Sequence, residues 1–372
     1  MKKIAIVGGG PGGLTLARLL QVKGVSSVKV YERDADKNAR VQGATLDLHE
    51  ESGLAALREA GLMEAFIANY RPGADKIRIV DKEANIIVDE HAGEKEENRP
   101  EIDRGPLRKI LLESLSADTV VWDSQFAGME KSGDGWMLRF KNGTTAYADI
   151  VVGADGANSK IRSYLTPIQP FFVGMTALEG SVYEAEKLVP EMFELVKGGK
   201  LFIFGDSKTL IVSAKGDGTL SFYAGFKSSA DWVLKGDVLD WYKSEFNEWA
   251  PIYETLFANV SGGFIPRPQY CMPLDQNWEA LPNLTMLGDA AHLMPPYAGE
   301  GVNMAMLDAL ELSRCLTEEH DTHAAIAKYE KEMRARASAT AAMTLEQTER
   351  LHSPEAIRKM LGVIGMEYSG MA

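Results

Sequence analysis

The sequence predicts an α/β protein: a parallel sheet between helices, interrupted by a mixed, mainly antiparallel layer, with long helices at the end of the chain. Three observations carry that expectation. Residues 2–33 read as strand, glycine-rich turn, helix and second strand, the unit from which parallel sheets are built. Two further strand-to-helix turns, each holding an aspartate (Asp155 and Asp289), lie far from the first and from each other. Between them, residues 171–267 change to short strand-like segments separated by Gly and Asp turns.

The opening unit is the most specific. Ile4 to Val7 form a short apolar run bounded by glycine, as in a strand buried on both faces. Gly8, Gly10 and Gly13 fit G-x-G-x-x-G, within Gly-Gly-Gly-Pro11-Gly-Gly. The first allows a tight turn, the second lets backbone approach a pyrophosphate, and the third lets helix pack on strand. Leu14, Leu16, Ala17, Leu19 and Leu20 give the helix its core face, and Gly24 ends it. The second strand finishes at Glu32, whose carboxylate can accept from a ribose diol. The unit predicts a dinucleotide and leaves NAD and FAD both open.

Composition bounds the rest. A chain of 372 residues with 45% apolar and 25% charged residues suits one large discontinuous domain or two ordinary ones. A net charge of −13 without a Lys/Arg cluster argues against a nucleic-acid surface. Cys271 and Cys315 form no C-x-x-C pair and read as reduced thiols. The nucleotide strand starts at the second residue, which predicts no signal peptide, and no apolar run approaches the roughly 20 residues of a membrane span. The expectation is a soluble, cytoplasmic monomer.

Further along, residues 50–70 read as helix broken at Gly61, and residues 76–90 as a hairpin around Glu83-Ala84-Asn85. Gly105 and Pro106 suit a helix start, with Arg104 just before it. Val120 to Trp122 read as a short strand, and residues 135–152 as a hairpin turning at Asn142-Gly143. Residues 241–257 read as one helical insert in the strand-rich layer, and residues 301–317 and 322–352 as two closing helices.

Two later motifs decide the cofactor. Asp155-Gly-Ala-Asn-Ser159-Lys-Ile-Arg162 closes a strand and opens a helix, and Gly288-Asp289-Ala-Ala-His292 with Pro295-Pro296-Tyr-Ala-Gly299-Glu-Gly301-Val-Asn303 does so again. Asp289 at a strand end can accept from a ribityl hydroxyl, and the Gly299–Gly301 turn presents helix N-terminal amides to a flavin ring or phosphate. His292 reads as a satisfied structural histidine rather than a base, and no spacing suggests a metal.

These three motifs in order resemble the signature of class A FAD-dependent aromatic hydroxylases of the para-hydroxybenzoate hydroxylase type. The runs Val-Tyr-Glu-Arg-Asp, Gly-Ala-Thr-Leu-Asp-Leu-His, Pro-Glu-Ile-Asp-Arg, Val-Trp-Asp and the 288–303 stretch are more closely similar to the tetracycline-inactivating flavin monooxygenases. The resemblance implies a three-layer FAD-binding domain of the glutathione-reductase type (1–72, 101–168 and 273–318). It also implies an inserted mixed-sheet substrate domain (73–100 and 169–272) and a C-terminal bridging helix (319–372).

By the same resemblance, Gly8, Gly10, Pro11 and Gly13 hold the FAD pyrophosphate and Glu32 the adenosine ribose. Asp47, Arg104, Asp155, Asp289 and Pro296 contact FAD, and Gly299, Gly301 and Asn303 bracket the isoalloxazine. Arg33 and Arg40 serve NADPH. No side chain is assigned catalysis, because a flavin C4a-hydroperoxide formed from O2 carries the oxygen transfer. The substrate is a polycyclic or phenolic small molecule, with tetracycline-type antibiotics among the candidates. Where the tetracycline subfamily carries Gln, Arg and His against its substrate, this chain aligns Ala177, Lys200 and Ser221, which argues for a different ligand. Two alternatives stay open: an FAD-retaining protein that sequesters a ligand with little turnover, and another flavin oxidoreductase of the same fold. The W-x-W-x-I-P run of flavin halogenases is absent.

Overall fold

The computed structural model describes residues 2–39, 45–93 and 99–363. The first part of the chain gives β1 (Ile4–Val7), α1 (Pro11–Val22), β2 (Val28–Tyr31), β3 (Leu46–Asp47), α2 (Gly53–Glu59), α3 (Met63–Ile67), β4 (Ile77–Asp81) and β5 (Ile86–Asp89). Next come β6 (Glu101–Ile102), α4 (Arg104–Glu113), β7 (Val120–Val121), β8 (Phe126–Ser132), β9 (Gly135–Phe140), β10 (Thr145–Ala148) and β11 (Ile150–Gly153). The interrupting layer holds β12 (Phe171–Val182), α5 (Ala185–Leu188), α6 (Pro190–Val196), β13 (Lys200–Gly205), β14 (Lys208–Ala214), β15 (Leu220–Lys227), α7 (Val238–Glu245), α8 (Pro251–Ala258) and β16 (Ile265–Cys271). The chain closes with β17 (Leu284–Met286), α9 (Asp289–His292), α10 (Gly301–Glu318), α11 (Thr322–Leu351) and α12 (Ala356–Val363).

Among the described residues two sheets organise the molecule. The first is a five-stranded sheet in the order β17-β11-β1-β2-β7, parallel throughout. Every residue of β1 and β11 is buried, as expected for strands covered on both faces. The second is seven-stranded, in the order β16-β12-β15-β14-β13-β4-β5, antiparallel except where β13 lies parallel to β4. Its strands alternate: Leu220, Phe222, Ala224 and Phe226 of β15 point into an apolar cluster shared with Met192, Tyr253 and Phe257 from the helices behind. Ser221, Tyr223 and Gly225 therefore point the other way.

α11 runs for 30 residues, about 45 Å at 1.5 Å per residue. Its Tyr329, Met333 and Ala337 pack in the cluster of the parallel sheet, Ala341 packs with Met294, and Leu351 packs with Phe204 of the seven-stranded sheet. One rigid element thus touches both sheets.

Local expectations fail at particular places. The stretch read as one helix is two: α7 stops at Glu245, and Pro251, whose fixed φ suits a first helical position, opens α8. α5, α6, α12 and β8 have no counterpart in the sequence reading. β2 ends at Tyr31 rather than Glu32, β7 stops at Val121, and α4 begins at Arg104 itself.

Candidate active site

At the head of α1 the glycines work through contact. Gly8 has φ +113°, and a Cβ there would stand 2.1 Å from the Ala154 carbonyl oxygen; one on Gly13 would stand 2.1 Å from the Gly8 oxygen. β1, the end of β11 and α1 close on one another only because both side chains are missing. Gly10 is different: a Cβ there meets nothing within 4 Å, and it precedes a helix start with no capping side chain. An open, uncapped helix N-terminus suits a pyrophosphate. Glu32 is buried beside it, accepting from the Gly9 amide at 2.5 Å and from the Asp34 amide at 3.0 Å. Each carboxylate oxygen has lone-pair capacity left for a ribose hydroxyl. These residues fit a dinucleotide.

The second and third motifs meet through Arg162. Its Nε donates to the Ala290 carbonyl and its guanidinium to the Asp289 carbonyl, both at 2.8 Å. Asp155 keeps its carboxylate for its own turn, accepting from Ser159 Oγ at 2.6 Å and the Lys160 amide at 2.8 Å. Its side chain therefore shapes the turn beside Gly8. Burial pushes the Asp289 carboxyl up, against the cations His292, Arg104 and Arg162. A carboxylate so placed, in a helix start beside Gly301, has the chemistry to accept from a cofactor hydroxyl. His292 is structural: it binds Asp308, which also accepts from the Gly288 amide at 2.9 Å and from Arg336 at 3.0 Å. Burial presses the His292 ring down, and the Asp308 carboxylate more than offsets this.

The turn before α10 is clamped from below. Gly299 has φ +73°, and a Cβ there would stand 3.0 Å from both Asp47 carboxylate oxygens. Asn303 is fully buried; it donates to the Asp47 carbonyl at 2.9 Å and accepts from the His49 amide at 2.9 Å. Its side chain is committed to joining two loops, so any share it takes in a flavin site comes through backbone and position. Burial raises the Asp47 carboxyl, but the hydrogen bond from His49 (3.2 Å) and the charges of Lys200, His49 and Arg99 hold it below its ordinary value. α10 starts without a capping side chain, leaving its first amides directed at the space beside Gly301. Pro296 is exposed on the same turn, and Arg104 opens α4 with its charge acting on Asp289. Arg33 is exposed on the loop after β2; Arg40 lies outside the described residues.

The free face of the seven-stranded sheet carries the three substrate candidates. Register places Lys200, Ser213, Ser221 and Ser181 in one row, with Phe202, Ile211, Tyr223 and Glu179 in the next. Phe204, which packs under Leu351 at the covered end of this face, forms the third with Thr209, Gly225 and Ala177. Two contacts set this face against the Pro295–Gly301 turn. Lys200 pairs with buried Glu101, which lies opposite Asp47 in the β3–β6 ribbon. At the other end, a Cβ on Gly225 would stand 2.7 Å from the Tyr297 hydroxyl and 2.5 Å from both Thr209 Oγ1 and His352 Nε2. Thr209 and His352 are 3.1 Å apart, and His352 Nδ1 lies 2.8 Å from the Thr348 carbonyl. Nδ1 is therefore the donor to that carbonyl and Nε2 the acceptor from Thr209. Burial pushes His352 down to about 4. Tyr297, Thr209, His352, Glu101 and Arg162 were assigned no role from sequence; only register and long-range contact bring them to the site. Among the described residues no group of His, Cys, Asp and Glu is placed to hold a metal ion, and no helix is long and apolar enough to cross a membrane.

The chain matches the model of an FAD binding domain over residues 1–218 and 282–344. It is similar to the monooxygenase asqM of Emericella nidulans, 29% identical over 86% of this chain and 84% of that protein. It is also similar to the 6-hydroxynicotinate 3-monooxygenase of Pseudomonas fluorescens, 30% identical over 90% and 88%. Among solved structures, the tetracycline destructase Tet(55) superposes with a TM-score of 0.79 at 20% identity, covering 98% of this chain and 95% of that one. That last likeness is one of fold.

Proposed function

We propose, for a chain that belongs to the FAD binding domain family and is an FAD-dependent monooxygenase, that it hydroxylates a polycyclic or phenolic small molecule with NADPH as electron donor. The observation that supports this most is the apposition of the Pro295–Gly301 turn and the free face of the seven-stranded sheet. Lys200–Glu101 ties one end of that face and Gly225–Tyr297 the other.

In this reading residues 1–72, 101–168 and 273–318 hold the cofactor, residues 73–100 and 169–272 the substrate, and residues 319–372 brace both. Gly8, Gly10, Pro11 and Gly13 would seat the FAD pyrophosphate and Glu32 its ribose. Asp47, Arg104, Asp289, Pro296 and the 299–303 turn would hold the flavin end, with Asp155 shaping the adjoining turn. Bound FAD supplies the electron transfer and oxygen activation that side chains lack. The chain's share is position and dryness: Phe202, Ile211 and Tyr223 turn apolar surface toward the site, which keeps water from the reacting atoms. Ala177 and Ser221 would flank the substrate, with Lys200 held in its ion pair. Arg33 and Arg40 are the cations offered to the nicotinamide nucleotide.

The test is incubation of FAD-loaded protein with NADPH, O2 and a panel of phenols and polycyclic aromatics that includes tetracyclines. Ligand-stimulated NADPH oxidation and a product one oxygen atom heavier are expected. Tight ligand binding with neither would favour sequestration, and faster oxidation of NADH would overturn the choice of donor.

A further inference from the structure

The free face of the seven-stranded sheet also carries information about the charge of its ligand. Burial falls in the middle of that face: Phe202, Ile211 and Tyr223 are half-buried, while Ser213 and Ser221 on one side and Thr209, Gly225 and Ala177 on the other are buried. An apolar patch is thus left in the centre row, ended on one side by buried Glu179 and rimmed by hydroxyls. Among the described residues, every cation close to that patch is already matched. Lys200 pairs with Glu101, itself 1% exposed, and Arg267 Nε lies 2.8 Å from Glu179, 5% exposed. Ser181 and Ser221 bond to each other at 3.0 Å. Lys227 lies at the exposed end of β15, beyond the patch. His352, another basic group on this side, is buried and accepts from Thr209.

A carboxylate brought onto this patch would lose its hydration and find, among the described residues, no unpaired cation beside it, with two buried glutamates as neighbours. Burying an unpaired carboxylate is strongly unfavourable, whereas a neutral ring loses little and gains aromatic contact with Phe202 and Tyr223. We infer that the substrate is a planar aromatic molecule whose buried part is uncharged, a phenol or hydroxylated heteroaromatic, and not an aromatic carboxylate. The inference rests on the monooxygenase reading above and narrows it. It separates this chain from relatives such as the 6-hydroxynicotinate enzyme, whose named substrate carries a carboxylate.

The deciding experiment uses FAD-loaded protein and matched ligand pairs: 4-hydroxyquinoline against its 2-carboxylate, and 2-naphthol against 3-hydroxy-2-naphthoate. Dissociation constants are read by calorimetry and by perturbation of the flavin absorbance. The neutral member of each pair is expected to bind at least about tenfold more tightly, the equivalent of 1.4 kcal/mol. Glu179→Gln frees Arg267 and Glu101→Gln frees Lys200; in each the discrimination is expected to shrink about fivefold or more. Circular dichroism and FAD content identify a variant that has failed to fold, and the other then decides. Equal or tighter binding of the carboxylates, unchanged discrimination in the folded variants, or no binding by either member of both pairs would each overturn the inference. Product analysis separates the two claims. Neutral ligands that bind without being oxygenated would defeat the monooxygenase reading alone, whereas hydroxylated carboxylates would defeat the charge preference alone.

Discussion

Gly225 and Tyr297 meet where the seven-stranded sheet faces the Pro295–Gly301 turn, so closely that a Cβ on Gly225 would stand 2.7 Å from the Tyr297 hydroxyl. Tyr297 packs on His352 with ring centroids 4.8 Å apart, so the same contact joins the end of α11 to both. The missing side chain at residue 225 is what lets three distant segments converge.

Gly225→Ala is therefore expected to push Tyr297 and His352 outward. The strain should cost about 1–3 kcal/mol of stability and raise KM for the proposed aromatic substrate, with FAD content little changed. Thermal melting and steady-state kinetics check it; a variant with wild-type Tm and KM would mean that the contact relaxes freely.

Asn303 clamps the turn at Gly299 to the loop at Asp47 and His49 through its fully buried carboxamide. Asn303→Ala removes these bonds, together with those to the Gly299 carbonyl, Ser52 Oγ and the Gly53 amide, and leaves buried backbone groups unpaired, at about 1–3 kcal/mol. Weaker retention of FAD during gel filtration, together with a lower Tm, is the expected result. Retention equal to wild type would show that the turn keeps its shape without the clamp.

Glu32→Ala takes the acceptor from the Gly9 amide and from the proposed ribose contact. Charge-assisted bonds of this kind are worth about 1.5–3 kcal/mol, so the FAD dissociation constant of the apoprotein should rise roughly tenfold to a hundredfold. Fluorescence titration with FAD measures it. An unchanged constant would place the ribose elsewhere.

His352 predicts an acid limb in stability. Its folded value of about 4 lies below its ordinary 6.5, because burial excludes the charged ring. Between those values the unfolded chain takes up a proton that the native chain refuses, so stability is full above 6.5 and falls as pH drops toward 4. The contribution is on the order of 3 kcal/mol at most. His292 has the opposite sign, since its raised value favours the native state below 6.5 and loses that share as pH rises through the folded value. Urea midpoints from pH 7 to 4 should fall less steeply in His352→Gln than in wild type. Parallel curves would remove His352 as the cause.

Much of the cofactor half was legible in residues 4–32, because its signals are local. A buried strand needs a continuous apolar run, a phosphate turn needs glycines at fixed spacing, and the helix after it needs its own apolar stripe; Ile4–Val7, Gly8 to Gly13 and Leu14 to Leu20 meet all three within one short stretch. The later aspartate turns were legible for the same reason, as were the hairpins at Glu83-Ala84-Asn85 and Asn142-Gly143. Short helices such as α5 and α6 were missed because four to seven residues establish no period.

The sequence alone determined the family resemblance, the FAD motifs and the alternation of strands in residues 171–267, since each depends on neighbours in the chain. Only the tertiary structure decided what the motif side chains bond to. Asp155 closes its own turn and Asn303 joins two loops, while Arg162 binds the second motif to the third across 127 and 128 positions. It alone set Lys200 against Glu101, Arg267 against Glu179 and Gly225 against Tyr297. The charge of a pocket depends on which ions are paired across it, and pairing over such separations leaves no periodic trace in a sequence.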